Sequence, residues 1–162
     1  FTGLLNKASI ERYGKRKLSE LREGEKLAAL IVDLDDFKDI NDHYGHPIGD
    51  YVLKEAADIL RHHAPVGARI GRIGGDEFMV LLIGCNISCM ETYAEEVISK
   101  ILRIHWNGIE VSPSCSMGLA VASTPNVSYD ELYRKADEAL YHAKQLGKNR
   151  LYTTFSEQTE NN

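Results

Sequence analysis

The stretch of sequence that decides the fold is ARIGRIGGDEFMVLLI, residues 68–83. Its two apolar runs, 68–73 and 78–83, have the length and residue types of strands. Gly74 and Gly75 join them, and glycine tolerates the positive φ angles of a tight hairpin. The stretch therefore predicts two antiparallel strands with two acidic residues, Asp76 and Glu77, at their turn.

A further strand is predicted before this hairpin, over residues 27–32. The run LAALIV is apolar throughout, as in a central strand that is buried on both faces. It ends abruptly in three acidic residues, Asp33, Asp35 and Asp36. Neighbouring central strands would bring these acids close to those of the hairpin.

Helices are predicted on both sides of these strands. Apolar residues recur at helical spacing over 10–21, 37–44 and 47–65, and again after capping boxes that begin at Ser88 and Ser128. Two more strands are expected, over 111–121, where Pro113 and Gly118 indicate a break or bulge, and over 150–155.

This order of elements predicts the fold class. Because the sheet contains a hairpin, it cannot be all parallel, and an α+β fold with a mostly antiparallel central sheet flanked by helices follows. We expect one domain over residues 1–155 and a polar C-terminal tail over 156–162.

Composition excludes several classes of protein. With 162 residues, of which 43% are hydrophobic, the chain suffices for one core rather than two. Nineteen Lys and Arg against 24 Asp and Glu give a net charge of -5, unlike a protein that binds a polynucleotide backbone. No apolar run approaches the roughly 20 residues of a membrane helix. We expect a domain that contacts neither nucleic acid nor a membrane.

Cysteine usage and the first residue bear on context. Cys85, Cys89 and Cys115 form an odd set without a CxxC pair, which favours thiols in a reducing cytoplasm. The chain begins at Phe1 rather than at Met. We therefore expect it to be part of a longer protein with an N-terminal sensor or regulatory region, and the sequence leaves open whether that protein is membrane-anchored.

The two acidic clusters are candidate metal ligands. Converging carboxylates raise one another's pKa unless a cation neutralises them, and hard divalent cations prefer oxygen ligands. Magnesium often shares its coordination with phosphates, so one or two carboxylates suffice. The alternative is that these acids are solvated turn or N-cap residues, which applies above all to Asp35 and Asp36.

A phosphate site is predicted beside them. The helix that begins near Phe37 presents unpaired backbone N–H groups at its positive end, and Lys38 adds charge. Lys144 and Lys148 lie four residues apart, hence on one face if the helix continues past Gly147. The alternative is that these lysines only complement the dipole of the helix C-terminus.

Asn41 and Asp50 are candidates for recognising a guanine. A carboxylate accepts from the ring N–H and the exocyclic amine, while an amide supplies complementary polar contacts. The alternative is a helix-terminal asparagine and a first-turn aspartate without a ligand.

Four segments in order resemble the GGDEF family of bacterial diguanylate cyclases. Residues 74–78 are GGDEF, and TGLLNK at 2–7 resembles the family's LTGLxNR opening. Residues 33–50 resemble DxDxFKxINDxxGHxxGD, and residues 136–149 resemble ADxALYxAKxxGxN. One short motif is weak evidence, whereas four ordered segments across nearly the whole chain are specific.

The resemblance implies a palm-like sheet similar to that of nucleotidyl cyclases. It also implies an enzyme that condenses two GTP molecules into cyclic di-GMP and releases pyrophosphate. Each subunit of a two-fold homodimer would present one GTP, whose 3′-hydroxyl attacks the α-phosphate of the other. The implied cofactor is Mg²⁺, with Mn²⁺ as an alternative.

Roles for individual residues also follow from the resemblance. Catalysis would rest on Asp76 and Glu77, with Glu77 assisting metal binding or deprotonation. The metal ligands would be Asp33, the Leu34 carbonyl, Asp76 and Glu77. The substrate would contact Phe37, Lys38, Asn41, Asp50, Gly74, Gly75, Lys144 and Lys148.

The chain departs from the family pattern at two places. Lys148 stands where arginine is common, which keeps the charge but loses a bidentate contact to phosphate. The RxxD motif of the inhibitory product site is replaced by PVGA at 65–68, so we expect no product inhibition through that site. The carboxylate of Asp50 is retained, which favours GTP over ATP.

Two other functions remain open at this point. Members of the family that have lost catalysis serve as GTP or cyclic di-GMP sensors, and a third possibility is a dimerising scaffold. Because Asp33, Asp76, Glu77 and Lys144 are all present, the sequence favours an active enzyme.

Overall fold

The structure is a computed structural model and describes residues 4–84 and 86–154. Thr2, Gly3, Cys85, the predicted strand end at Phe155 and the tail 156–162 lie outside the described residues. The elements follow in the order α1 (Lys7–Ser19), β1 (Leu27–Leu34), α2 (Phe37–Tyr44), α3 (His46–His63), β2 (Arg69–Arg72), β3 (Glu77–Ile83), α4 (Ile87–Ile101), β4 (His105–Trp106), β5 (Ile109–Glu110), β6 (Cys115–Ala122), α5 (Tyr129–Gln145) and β7 (Leu151–Thr153).

Five of the strands form the central sheet, in the order β2-β3-β1-β6-β7. β1 pairs antiparallel with both β3 and β6, β2 pairs antiparallel with β3, and β7 pairs parallel with β6. The predicted α+β fold with a mostly antiparallel sheet is confirmed. The separate hairpin of β4 and β5 was not predicted, because strands of two residues are too short to show a period.

Helices cover both faces of the sheet, which explains the unbroken apolar run of β1. All eight residues of β1 are buried. Leu30 and Val32 face α2, α3 and α4, whereas Ala29 and Ile31 face α1 and α5. Alternate residues of a strand point to opposite faces, so a strand between two helix layers has no polar side.

The sequence suggested a break or bulge at Gly118, but the structure has none there. β6 runs without a break from Cys115 to Ala122, and Pro113 precedes it. A β-carbon at Gly118 would overlap the carbonyl oxygen of Ala136 and the amide nitrogen of Leu140. The glycine is needed because α5 lies directly on the backbone of β6, and this contact fixes the position of α5.

The predicted helix caps have mixed outcomes. Ser128 caps α5 by accepting from the Glu131 amide at 3.1 Å, as expected. α4 is capped by Asn86, whose side chain accepts from the Cys89 amide at 2.7 Å, and Ser88 lies inside the helix. Asparagine is as good an N-cap residue as serine. Asn86 precedes Ser88 in the chain, and the helix begins after Asn86.

The cysteines differ from the expectation of three thiols. Cys115 is free and buried, but Cys89 is disulfide-bonded. The count and spacing of cysteines do not show which of them lie side by side in the fold. In the described part of the chain, no helix has both the length and the apolar character needed to cross a membrane.

Gly118→Ala is expected to lower the free energy of unfolding by about 1–3 kcal/mol, because backbone atoms of α5 cannot move aside as a flexible side chain can. Urea unfolding followed by circular dichroism measures the change. The control is Gly75→Ala, whose β-carbon meets no heavy atom within 4 Å. It is expected to stay within about 0.5 kcal/mol of the unchanged protein. Equal stability of the two variants would contradict the close approach of α5.

Candidate active site

The two acidic clusters lie at the same edge of the sheet. Asp33 in β1 stands directly opposite Glu77 in β3, and the Leu34 amide donates to the Asp76 carbonyl at 3.1 Å. Directly opposed residues of antiparallel strands share a face, so both side chains point towards α5. The pairing register therefore builds the convergence that the sequence predicted.

The turn between β2 and β3 is held by Arg72, to which sequence reasoning gave no role. Its guanidinium donates to the Gly74 carbonyl at 3.2 Å and to the Gly75 carbonyl at 2.5 Å. The predicted positive φ angles are wrong, since neither glycine is in the left-handed region. A β-carbon at Gly75 would meet no heavy atom within 4 Å, so the structure is open at this point of the turn.

Lys144 and Lys148 both reach the acidic edge, but not from one helical face. α5 ends at Gln145, and Lys148 has a φ of 65° in the turn that follows. The Lys144 ammonium donates to the buried carboxylate of Asp33. The Lys148 ammonium donates to Asp36 at 2.8 Å, in an exposed pair. The condition for a shared helical face, a helix that continues past Gly147, is not met because α5 ends at Gln145.

The site carries more negative charge than Lys144 offsets. Burial raises the pKa of Asp33 although Lys144 pulls it down, and Asp76 and Asp35 raise it further. Burial likewise raises the pKa of Glu77, and the charges of Asp33, Asp137 and Asp76 add to the rise. The ionised forms of these carboxylates therefore destabilise the folded state while no further cation is bound.

Asp137 on α5 was missed by the sequence reasoning as a member of this group. Asp137 is exposed, and its charge helps to raise the pKa of Glu77 in β3. Asp137 precedes Lys144 by seven residues, which is two helical turns. That spacing on an amphipathic helix was the signal available in the sequence.

The donors at this edge suit a hard divalent cation that shares its coordination with phosphates. Among the described residues, no group of three or more His, Cys, Asp and Glu side chains could hold a metal ion alone. Asp33 and the Asp76–Glu77 turn supply carboxylate oxygens only, with surplus negative charge. Magnesium needs only one or two protein carboxylates when phosphates complete its shell. The donor set therefore fits the ion, with Asp33, the Leu34 carbonyl, Asp76 and Glu77 as the residues to hold it.

The N-terminus of α2 offers unpaired amides next to these acids. Its N-cap, Asp36, has a φ of 52° and makes no capping hydrogen bond with its side chain. The first bonds of the helix run from Asp39 and Ile40 to the Asp36 carbonyl. The amides of Phe37 and Lys38 have no acceptor within the described ranges. Such N–H groups at the positive end of a helix bind anions.

Asn41 carries a buried acceptor without a partner among the described residues, its side-chain oxygen. A β-carbon at Gly49 would overlap that oxygen, so the glycine makes room for the Asn41 side chain between α2 and α3. Asp50 follows Gly49 and is exposed. An unsatisfied buried acceptor requires an explanation, which makes Asn41 a candidate for contact with a ligand.

Asp35 is neither a solvated turn residue nor an N-cap, contrary to the alternative raised above. Only 5% of it is exposed. Its carboxylate accepts from the hydroxyls of Ser114 and Ser116, both at 2.6 Å, and from the Asn149 amide at 3.1 Å. These partners lie far along the chain, so no local pattern indicated them.

The family model described as "Diguanylate cyclase, GGDEF domain" matches residues 1–150. The chain belongs to the GGDEF family. Relatives of this GGDEF domain include the diguanylate cyclase DgcS of Shewanella oneidensis, 39% identical over 149 residues, which are 91% of this chain and 49% of DgcS. DgcP of Pseudomonas aeruginosa is 37% identical over 93% of the chain and 23% of its own length. The chain thus spans half or less of these relatives.

Solved structures confirm the predicted fold class. The coiled coil and GGDEF domain of DgcB from Caulobacter crescentus, in complex with c-di-GMP, has a TM-score of 0.88 at 26% identity, covering 94% of this chain and 83% of that one. The GGDEF domain of PA1120 (TpbB or YfiN) from Pseudomonas aeruginosa has a TM-score of 0.84 at 33% identity, covering 95% and 92%.

Glu77→Gln is expected to stabilise the metal-free GGDEF domain at neutral pH. Because the pKa of Glu77 is raised in the folded state, its ionisation destabilises the fold above that pKa. The effect vanishes below the unfolded value of about 4.3, where the carboxyl is protonated in both states. The gain should stay below about 1 kcal/mol, since the side chain is partly exposed.

Thermal melts in EDTA between about pH 4 and pH 8 measure this gain, which should shrink as the pH falls. Glu138→Gln is the control. It removes a carboxylate of α5 that pairs with Arg134 at 3.0 Å on the exposed side, so no gain is expected. A gain for Glu77→Gln that does not vary with pH would show that charge is not its cause.

Proposed function

We propose that this GGDEF domain is a diguanylate cyclase that condenses two GTP molecules into cyclic di-GMP and releases pyrophosphate. The observation that carries the proposal is the opposition of Asp33 and Glu77 at the sheet edge, where the Leu34 amide also holds the Asp76 carbonyl. The names of the relatives, diguanylate cyclases over most of this chain, support it. We also propose that residues 1–155 act as one catalytic domain.

The metal proposed for this edge is Mg²⁺, with Mn²⁺ as an alternative. Asp33, the Leu34 carbonyl, Asp76 and Glu77 would hold it. When bound, such an ion neutralises phosphate oxygens and the charge that develops on them during transfer. It would also compete with the Lys144 ammonium for Asp33, which leaves Lys144 available to phosphate.

The triphosphate would lie between the hairpin turn and α2. The open amides of Phe37 and Lys38 donate to phosphate oxygens, and the absence of a side chain at Gly75 allows a phosphate to approach the turn. Lys144 and Lys148 add two positive charges, through ammonium groups that contact Asp33 and Asp36. Transfer of this kind depends mainly on positioning and charge stabilisation, and these groups supply both.

Guanine would lie between α2 and α3. The unsatisfied side-chain oxygen of Asn41 lies against Gly49, and Asp50, the next residue of α3, is exposed. A carboxylate that accepts from two adjacent N–H groups of guanine has no such pairing with adenine. This arrangement supports GTP over ATP as the substrate.

We also propose that a single chain supplies half of the reaction centre and that catalysis takes place in a two-fold homodimer, in which each subunit presents one GTP. A regulatory region outside this chain would bring the subunits together. A solved relative, diguanylate cyclase SiaD from Pseudomonas aeruginosa in complex with its activator SiaC, is 27% identical with a TM-score of 0.86. The match covers 94% of this chain and 60% of the SiaD chain.

The second candidate function is a catalytically weak module that binds GTP or cyclic di-GMP. Two structures of DgcB from Caulobacter crescentus in complex with c-di-GMP favour it, because they show a GGDEF domain with that molecule bound. The intact set of acids and Lys144 favours catalysis instead.

Incubation of the chain at high concentration with GTP and Mg²⁺, followed by separation of the nucleotides, tests the proposal. We expect cyclic di-GMP. Asp76→Asn is expected to reduce turnover by about 100-fold or more, because it removes a metal-bearing charge worth several kcal/mol in the transition state. Asp58→Asn is the matched control, since Asp58 pairs with Arg61 on α3 away from the sheet edge.

Two outcomes would change these assignments. Intact turnover in Asp76→Asn would exclude its role at the metal. GTP binding without any cyclic dinucleotide would favour the sensor function. A slow rate alone is compatible with the proposal, because two halves without a tether meet rarely.

Asp50→Asn tests the recognition of guanine. Its amide cannot accept from both N–H groups, so kcat/KM for GTP should fall by about 10- to 100-fold, while the low rate with ATP should not fall. Initial rates of pyrophosphate release with each nucleotide measure this ratio. Glu55→Gln removes a carboxylate from the same helix and should change neither rate. An equal loss with both nucleotides would assign Asp50 a general charge effect rather than base recognition.

A further inference from the structure

Asp35 is a buried carboxylate that the proposed reaction does not use. One of its oxygens accepts from the Ser116 hydroxyl, and the other accepts from the Ser114 hydroxyl and the Asn149 amide. Its own amide donates to the Ser114 carbonyl at 2.8 Å. A buried carboxylate is costly unless donors surround it, and here three donors do. Both oxygens are therefore committed to protein donors.

One of these donors belongs to a strained turn. Lys148 and Asn149, which follow α5, have φ angles of 65° and 53°, although neither is glycine. Two consecutive left-handed residues persist only where the surroundings hold them. The turn is held at three points: the Lys148 amide donates to the Ala143 carbonyl, the Arg150 guanidinium donates to the Lys148 carbonyl, and the Asn149 amide donates to Asp35.

Two neighbouring acids thus hold two neighbouring residues of the turn. Asp35 accepts from the backbone of Asn149, and Asp36 accepts from the side chain of Lys148 at 2.8 Å. Asp36 is the N-cap of α2, so the Lys148 ammonium stands beside the helix end whose amides are open. The position of that ammonium depends on the turn, and the buried anchor of the turn is Asp35.

We propose that Asp35 is a positioning residue that acts through Lys148. By fixing the Asn149 amide, it would hold the Lys148 ammonium over the N-terminus of α2 and complete the cradle for the triphosphate. This inference rests on the proposed function, since the cradle is built for GTP. A lysine depends on such support more than an arginine does, because an ammonium is a point charge on a flexible stem without a rigid fork.

The test compares Asp35→Ala with Asp35→Asn by calorimetric titration of a non-hydrolysable GTP analogue in Mg²⁺, and of guanosine. Asp35→Ala should lower the affinity for the analogue by about 10-fold, which corresponds to the loss of one charge-assisted contact. The affinity for guanosine should not change. Asp35→Asn should retain most of the affinity, because its amide oxygen accepts from Asn149 while its amide nitrogen donates to the Ser116 hydroxyl. If Asp35→Asn binds the analogue as poorly as Asp35→Ala does, the charge of Asp35 itself is needed for binding and the inference is wrong.

A double-mutant cycle separates positioning from a structural role. In a Lys148→Ala background, Asp35→Ala should cost no further affinity for the analogue, because the two substitutions remove the same contact. Additive losses would show that Asp35 does not act through Lys148. Ser116→Ala is the folding control: it removes a donor to the other oxygen, so it should lower the melting temperature and leave affinity for the analogue unchanged.

Failure of this inference differs from failure of the proposed function. If the unchanged protein does not bind the analogue, the proposed function is wrong. If the unchanged protein binds the analogue and both Asp35 variants bind it as tightly as the unchanged protein does, only the positioning role is wrong. If Asp35→Ala does not fold, Asp35→Ser replaces it in both comparisons, because the shorter serine side chain cannot reach the Asn149 amide. Affinity for the analogue that is unchanged in a folded Asp35→Ser would contradict the positioning role.

Discussion

The register between β1 and β3 is the constraint on which the rest of the structure depends. It places Asp33 opposite Glu77 and pairs Val32 with Phe78 inside the core. A slip of one residue would turn the apolar side chains of β1 to the wrong faces and separate the two acids. Because β1 is apolar and buried on both faces, such a slip would exchange side chains of different size between the two helix layers and would turn Asp33 into the apolar layer of Val32. The packing of the core therefore enforces the geometry of the site.

That geometry costs stability in the absence of a cation. Asp33 and Glu77 are buried enough for their pKa values to rise, and their charges repel one another. Lys144 opposes both shifts, and its own pKa is raised because the pull of Asp33 outweighs the partial burial of the ammonium. The pair of Lys144 and Asp33 is thus a compromise that a divalent ion and a triphosphate would replace. Such residual electrostatic cost is typical of binding sites.

The elements with long apolar runs could be predicted from the sequence, and so could the convergence of the acids. α5 shows its helical period locally, and β1 and the hairpin strands show as apolar runs. Asp33 follows one of these predicted strands, and Asp76 lies at the turn that joins two others. The role of Asp35 could not be predicted, because its donors Ser116 and Asn149 lie 81 and 114 residues away along the chain. The contact between Lys148 and Asp36 could not be predicted either. It depends on a turn in which Lys148 and Asn149 both have left-handed backbone angles, which are uncommon for residues other than glycine.

Three glycines show why a motif and its physical reason must be kept apart. The sequence suggested backbone freedom at the hairpin and a bulge at Gly118, but Gly75 and Gly118 have no positive φ. The absence of a β-carbon leaves room for the backbone of α5 at Gly118 and for the Asn41 side chain at Gly49, and it would leave room for the proposed substrate at Gly75. Two of the three lie where substrate is proposed to bind, and the third seats the helix that carries Lys144. The site is therefore shaped as much by missing side chains as by the charges around it, and a charge pattern alone could not define it.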